Sequence, residues 1–513
     1  MKTVEPSLCL LIIQYFEKKL NVDYPFSEET IYNILHSTAG HFINTYKTKD
    51  AARGRERQME KREKLGSRMG FILLSAGCAI GLGNVWKFPY MTGQYGGGVF
   101  LILYFLMLIL FGIPVMTMEF AIGRAAQKAP VRMYDDLEPE GSKWHIHGYV
   151  GMIGCMLLMM YYAVVAGWIV RYFVKFLLGH FDGATPDMIG EEFGAMLASP
   201  STNIIYLAIV VIISFSVCAM GLQNGLERVT KYMMAALLLL MLVLAINSFT
   251  LPGSREGLKF FLLPDLNRTK EIGFSSVVMG ALNQAFFTLS IGEGAMAVFG
   301  SYIDKDRSLL GESINVTILD TLVAVTAGLI MFPACFSYGI DVNAGPSLLF
   351  ITMPNVFANM TLGRVWGTLF FLFMAFAAFS TAFAVYENII ANFMELTGLG
   401  RKKTCLVCGI GMFILALPCA LGFNVWSGFM PFGEGTGVLD LEDFIVSNLL
   451  LPTGAIIYVL FCTVRYGWGW DKFIGEANQG EGVKMPEWLK NYMKYFVPLV
   501  LLLILIAGLK DFF

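Results

Sequence analysis

Eleven stretches of this chain run for about twenty residues or more on almost purely apolar side chains, the length at which an α-helix crosses roughly 30 Å of hydrocarbon. They fall at about 70–92, 98–123, 148–178, 203–221, 226–250, 274–301, 310–337, 364–394, 404–423, 437–463 and 490–510. A transmembrane β-barrel would instead show segments of about 10 residues with alternating polarity. Composition agrees: 56% of the 513 residues are hydrophobic and 15% charged, against about 25% charged in an ordinary soluble domain. The expected class is an all-α polytopic membrane protein.

Orientation is read from Lys and Arg in the short loops. Basic residues precede the first span (Arg53 to Arg68) and recur in every second loop: Arg124 to Lys143, Arg228 and Lys231, Lys305 and Arg307, and Arg401 to Lys403. Among the intervening loops only the one with Arg255, Lys259, Arg268 and Lys270 breaks the pattern. This places the N-terminus in the cytoplasm, with the chain threaded through the plasma (inner) membrane. Residues 1–58 stand apart. Leu8–Leu20 is too short and too charged to span, and it lacks a signal-peptide cleavage site. The segment is either a small cytoplasmic extension or sequence upstream of a start at Met59, with 59–513 as the membrane domain. Beyond Arg53–Lys64 there is no basic tract to suggest a nucleic-acid partner. Most of the nine cysteines lie in apolar runs, where packing explains them. The pair Cys405 and Cys408 reads the same way in preference to a redox or metal motif.

Two spans carry their own interruptions. Gly77-Cys-Ala-Ile-Gly-Leu-Gly83-Asn84 in the first and Thr288-Leu-Ser290-Ile-Gly292-Glu293-Gly294 in the sixth cluster glycines at mid-membrane. A glycine costs about 1 kcal/mol against alanine inside a helix, so clustering signals local unwinding or very close packing. Unwound backbone at that depth is tolerated where it lines a cavity. Interruptions five spans apart suggest two five-helix repeats, about 68–250 and 274–463, with one extra span at about 490–510; paired interruptions of this kind mark binding sites in secondary carriers.

Polar side chains gather around both breaks: Asn84, Thr288, Ser290, Glu293, Asp320, Ser380 and Thr381. An intramembrane carboxylate costs at least about 2.5–3.5 kcal/mol unless partnered. Asp320 is therefore either protonated or structurally paired, or neutralised by a bound cation. Amide, hydroxyl, carboxylate and carbonyl oxygens form a hard ligand set suited to Na⁺, whereas a soft transition metal would call for His or Cys.

At these residues the chain resembles the neurotransmitter:sodium symporters. The matching motifs are Ile80-Gly-Leu-Gly-Asn-Val-Trp-Lys-Phe-Pro-Tyr90, Gly96-Gly-Gly-x-Phe100, Met118-Glu-Phe-x-Ile-Gly-Arg124 and Gln284-x-Phe-Phe-Thr-Leu-Ser290. The likeness is strongest to bacterial eleven-span members, among them tyrosine carriers, and runs from about Arg62 to the last span. It implies a LeuT-like fold of two inverted five-helix repeats with broken first and sixth spans. It further implies two sodium ions and no organic cofactor. Sodium site one would use Ala79, Asn84, Thr288 and Asp320; sodium site two Gly77, Ile80, Ala377, Ser380 and Thr381. An amino acid would lie between the breaks, its carboxylate on the amides of Leu82 and Gly83 and on the Tyr162 hydroxyl, its ammonium on carbonyls at Phe287 and Thr288. Cys78, Ala79, Leu158, Ser290, Glu293, Thr381 and Val385 would shape the pocket beneath Phe287. Lys87 with Asp443 would form the outer gate, and Arg62 with Glu395 the inner one.

Four departures from the family pattern bear on function. Asp320 stands where an asparagine is usual and Ala324 follows four residues on, a position that holds a carboxylate in many bacterial relatives and adjoins an anion in chloride-dependent ones; a built-in charge implies chloride independence. Gly81 replaces the aspartate that holds the amine in monoamine carriers, which favours a substrate bringing its own carboxylate. Glu293 replaces an aromatic pocket residue and either accepts from a substrate donor or turns away to a helix partner. Lys87 for arginine and Leu65 for tryptophan imply looser gates, since lysine lacks the planar fork.

The reading is a sodium-coupled amino-acid symporter working by alternating access, tyrosine or tryptophan favoured and histidine or a basic amino acid as alternatives. No nucleophile–base constellation is present, so an enzyme is not expected. The rival is an amino-acid sensor that keeps the site and has lost the cycle. An ion channel fits less well, since Phe287 and Tyr162 would occlude the path.

Overall fold

The computed structural model describes residues 63–339 and 348–510. Among these, nine helices are long and apolar enough to cross a bilayer unbroken: Gly98–Ala126, His145–Leu177, Pro200–Ala219, Leu222–Phe249, Leu309–Tyr338, Gly363–Thr397, Arg401–Leu421, Val438–Thr463 and Leu489–Leu509. A bent pair, Arg68–Ala79 and Gly83–Gln94, forms a tenth span with a 53° change of direction at the break. Phe274–Thr288 and Ala295–Gly300 are the two halves of the interrupted sixth span and complete the eleven. Residues 1–58 and Arg62 lie outside the described residues.

Both interruptions fall where the glycines predicted them. Ser67 starts the first span, its Oγ accepting from the Gly70 amide at 3.0 Å. The helix stops at Ile80, whose ψ of 90° leaves the helical region. The Asn84 side chain then accepts the freed Gly81 amide at 3.1 Å, satisfying backbone that no water could reach. In the sixth span Ser290, Gly292 and Gly294 take φ of 50°, 112° and 81°, conformations that side chains resist by about 1–2 kcal/mol per residue. The Gly292 amide donates to Glu119 Oε1 of the second span at 2.6 Å, so a neighbouring helix holds this break open.

Packing follows the repeat. The third and eighth spans lie along each other, and so do the fourth and ninth; each pair is five spans apart, as expected of equivalent helices near an inverted-repeat axis. The first span rests on the seventh and eighth, both halves of the sixth rest on the second, and the tenth supports the eleventh. The two breaks thereby meet in the middle of the bundle.

The loop that departed from the basic-residue pattern folds as two short helices, Ser254–Leu262 and Leu266–Ile272. At the end predicted to be cytoplasmic, fully buried Arg124 donates to Glu476 Oε1 at 2.7 Å, on the short helix Trp470–Ala477.

Candidate functional site

The residues singled out in the sequence fall into three adjoining groups around the breaks. In the first, Asn84 Nδ2 donates to Asp320 Oδ1 at 2.7 Å and to the Asp320 carbonyl at 3.0 Å. Thr288 Oγ1 donates to the same carboxylate at 3.2 and 3.3 Å. Asn84 and Asp320 are fully buried and Thr288 nearly so. No Lys, Arg or His among the described residues pairs with Asp320. Three spans thus deliver amide, hydroxyl and carboxylate oxygens to one point. The Tyr104 hydroxyl of the second span adjoins Asp320 and Thr288 without a hydrogen bond of normal geometry.

The second group joins the first span to the eighth. Ser380 Oγ lies 3.0 Å from the Ile80 carbonyl and 2.8 Å from that of Ala377. Thr381 Oγ1 lies 3.3, 3.1 and 3.2 Å from the carbonyls of Gly77, Cys78 and Ile80. All five predicted oxygens converge, together with the Cys78 carbonyl. The carbonyls of Gly77, Cys78 and Ile80 turn toward the eighth span because the first helix ends at this point.

Between the groups is a cavity lined by Cys78, Ala79, Gly81, Leu82, Gly83, Leu158, Tyr162, Phe287, Ser290, Glu293, Thr381 and Leu451. The Leu82 amide points at Tyr162 Oη, 3.4 Å away, and Ser290 Oγ reaches the Cys78 carbonyl at 3.5 Å. Ten of the twelve predicted pocket residues line this cavity. Thr288 belongs instead to the Asp320 group, and Val385 is packed in the core of the eighth span. Gly81 and Leu451 were missed. Leu451 comes from the tenth span, an ordinary apolar residue with no motif around it. Gly81 was noted for its missing aspartate, and the cavity shows the reason: a Cβ there would lie 2.3 Å from Thr381 Oγ1 and 2.8 Å from Tyr162 Oη.

The outer gate differs from expectation. Lys87 forms no ion pair with Asp443. Its ammonium sits 3.6 Å from the centroid of the Phe287 ring, while Asp443 accepts from Tyr161 Oη at 2.9 Å and Ser447 Oγ at 2.8 Å. Each partner has found a nearer neighbour, and lysine has no fork with which to hold both. Of the inner pair, Glu395 accepts from the Ala129 amide at 2.6 Å; Arg62 lies outside the described residues. A nearby network sequence reasoning had missed joins Arg401 to Glu387 at 2.7 Å and to Glu63 at 2.7 Å, with Tyr302 Oη on Glu387 at 2.9 Å.

Lys87 over Phe287 leads to an expectation. A cation–π contact is worth about 0.5–2 kcal/mol, so Lys87→Gln should weaken apparent substrate affinity about two- to thirtyfold through a looser Phe287. Saturation binding checks this, with Asp443→Asn as the comparison that leaves the contact intact.

Comparison with known proteins places this geometry. The model of the "Sodium:neurotransmitter symporter family" matches residues 62–183 and 195–513. The Bacillus subtilis "Uncharacterized sodium-dependent transporter YhdH" is 35% identical over 79% of this chain and 88% of its own length. A Haemophilus influenzae "Uncharacterized sodium-dependent transporter" is 32% identical over 88% of this chain and 99% of its own. Among solved structures, MhsT in complex with L-phenylalanine superposes with a TM-score of 0.78 at 35% identity, covering 87% of this chain and 100% of MhsT.

Proposed function

This chain belongs to the sodium:neurotransmitter symporter family as a multi-pass sodium-dependent transporter and not an enzyme, and from that premise we propose that it carries an amino acid into the cell across the plasma membrane with two sodium ions and without chloride. The N-terminus is cytoplasmic in this reading. The observation that carries it is the sharing of one short segment, Gly77–Asn84, by all three groups. Its carbonyls face Ser380 and Thr381, its Asn84 holds Asp320, and its Leu82 amide faces the cavity.

That sharing supplies the coupling. A sodium ion at either oxygen cluster fixes the backbone whose amides receive the substrate carboxylate, and substrate fixes the oxygens that receive sodium, so each raises the other's affinity by the same factor. Half-helix ends at the breaks favour an anion at the exposed amides and a cation at the exposed carbonyls, which orients a zwitterion. The tight fit of Thr381 and Tyr162 around Gly81 leaves no room for an aspartate, in keeping with a substrate that supplies its own carboxylate. Asp320, a carboxyl group beside the small Ala324, favours transport without chloride. Tyrosine and tryptophan are the first choice on family resemblance and on the donors they would offer Glu293. MhsT, crystallised with L-phenylalanine, shares the overall fold and supports an aromatic amino acid.

Uptake of labelled tyrosine into proteoliposomes, with an inward Na⁺ gradient in gluconate buffer and each other amino acid as competitor, tests this. Concentrative uptake that collapses when K⁺ replaces Na⁺ is the expected result. Sodium-dependent binding of an amino acid with accumulation of none would replace the carrier by the sensor.

A further inference from the structure

Glu293 occupies the broken stretch of the sixth span between two glycines in left-handed conformations, Gly292 and Gly294, and lines the central cavity with Cys78, Leu158 and Ser290. It is 1% exposed. A carboxyl group serving as a structural clasp at such a depth holds at least one strong donor, as Glu119, the neighbouring carboxylate, holds the Gly292 amide through Oε1 at 2.6 Å while its Oε2 has no partner among the described residues. Glu293 holds no such donor. Its Oε1 has no hydrogen-bond partner among the described residues. Among the described residues its Oε2 meets only the Cys155 thiol at 3.8 Å, a weak donor, and Cys155 Sγ itself accepts from Asn388 Nδ2 at 2.9 Å. No Lys, Arg or His among the described residues stands against it.

A buried acceptor with nothing to accept from is among the least favourable arrangements in a protein, and at a binding site the missing donor comes with the ligand. We propose that Glu293 is the specificity-determining residue of the cavity, accepting a hydrogen bond from a donor at the end of the substrate's side chain. The transporter then selects large amino acids that carry such a donor (a phenol O–H, an indole or imidazole N–H, an ammonium or guanidinium group) and rejects hydrocarbon side chains of equal size. This inference rests on the reading that an amino acid fills the cavity. The rejection follows from the unmade bond: a phenyl ring would cover the Glu293 carboxyl group, remove it from any water and return nothing.

The experiment compares side chains of matched shape on the unaltered protein. Labelled tyrosine, tryptophan, histidine and lysine are each offered to proteoliposomes under a Na⁺ gradient, and unlabelled phenylalanine and leucine compete against whichever accumulates. The expected result is that a donor-bearing amino acid is taken up and that phenylalanine and leucine compete at least about tenfold more weakly than that amino acid itself. Preference for tyrosine and tryptophan would identify a neutral donor, and preference for lysine or histidine a cationic one. Glu293→Met, which keeps the length and removes the acceptor, should bring phenylalanine level with or ahead of the donor-bearing substrate. Phenylalanine competing equally in the unaltered protein overturns the proposal while leaving amino-acid transport standing, and so does an unchanged ranking in an active Glu293→Met variant. Sodium-dependent uptake and binding of no amino acid at all would instead remove the reading beneath it.

Discussion

Asp320→Asn should lower sodium-driven uptake by about tenfold or more at limiting sodium, and external chloride should restore part of it. The substitution preserves shape: asparagine can still accept from Asn84 Nδ2, which now lies 2.7 Å from the carboxylate, and can still meet the Thr288 hydroxyl. What disappears is the carboxyl group that could carry a negative charge toward a bound ion, at a fully buried point where no cationic side chain stands among the described residues. A sodium ion held there by Asp320 would lose the one carboxylate among its proposed ligands. Chloride is expected to return that charge near Ala324, one helical turn further and fully buried, the position that the family resemblance associates with an anion. Two further arms sharpen the test. The unaltered protein should transport equally in chloride and gluconate, and Asp320→Asn combined with Ala324→Glu should recover chloride-independent uptake. Unchanged, chloride-insensitive uptake in Asp320→Asn would mean that the carboxylate neither binds sodium nor replaces an anion.

Much of this site was legible in the sequence because its parts are chemically out of place. A carboxylate, an amide and clustered glycines inside apolar runs violate the ordinary physics of a membrane helix, and each violation marks a residue with a special task. That logic reached Asn84, Thr288, Asp320, Ser380 and Thr381, which the structure gathers from the first, sixth, seventh and eighth spans. It failed where the residue is ordinary. Leu451 completes the cavity wall yet is one leucine among many in the tenth span, and only the packing of that span beside the sixth-span break brings it in. The family resemblance, for its part, misled where a charged side chain had a choice of partners. Lys87 was expected on Asp443 and instead lies over Phe287, a preference set by distances of a few ångströms that no spacing rule contains. The fold itself was readable to within a few residues per span, because hydrocarbon thickness fixes helix length. The network of Arg401 with Glu387 and Glu63 stayed hidden for the opposite reason: basic residues at that end were already explained by orientation.

Gly81→Ala is expected to have the other large effect, a fall in sodium-dependent uptake of about a hundredfold. The added carbon would lie 2.3 Å from Thr381 Oγ1 and 2.8 Å from Tyr162 Oη, closer than non-bonded atoms can stand, so one of three things must yield. If Thr381 rotates, it leaves the carbonyls of Gly77, Cys78 and Ile80, now 3.1–3.3 Å away. If Tyr162 moves, its hydroxyl leaves the Leu82 amide where the substrate carboxylate is expected. If the backbone moves, both groups change at once. Overpacking of this kind costs about 1–3 kcal/mol, and its upper end, applied to groups that bind, corresponds to about two powers of ten. A general loss of stability is separated from a loss of function by a double substitution. Thr381→Ala removes the nearer of the two clashing atoms and leaves Tyr162 Oη at 2.8 Å, so Gly81→Ala with Thr381→Ala should recover part of the thermal stability of the detergent-solubilised protein. Sodium-dependent binding should not recover, because the hydroxyl proposed to hold the ion is gone. Full transport by Gly81→Ala alone would show that the first span does not approach the eighth this closely at any obligatory step of the cycle. Recovery of sodium dependence in the double variant would remove Thr381 from the ion site and leave the coupling to Ser380 and the Asp320 group.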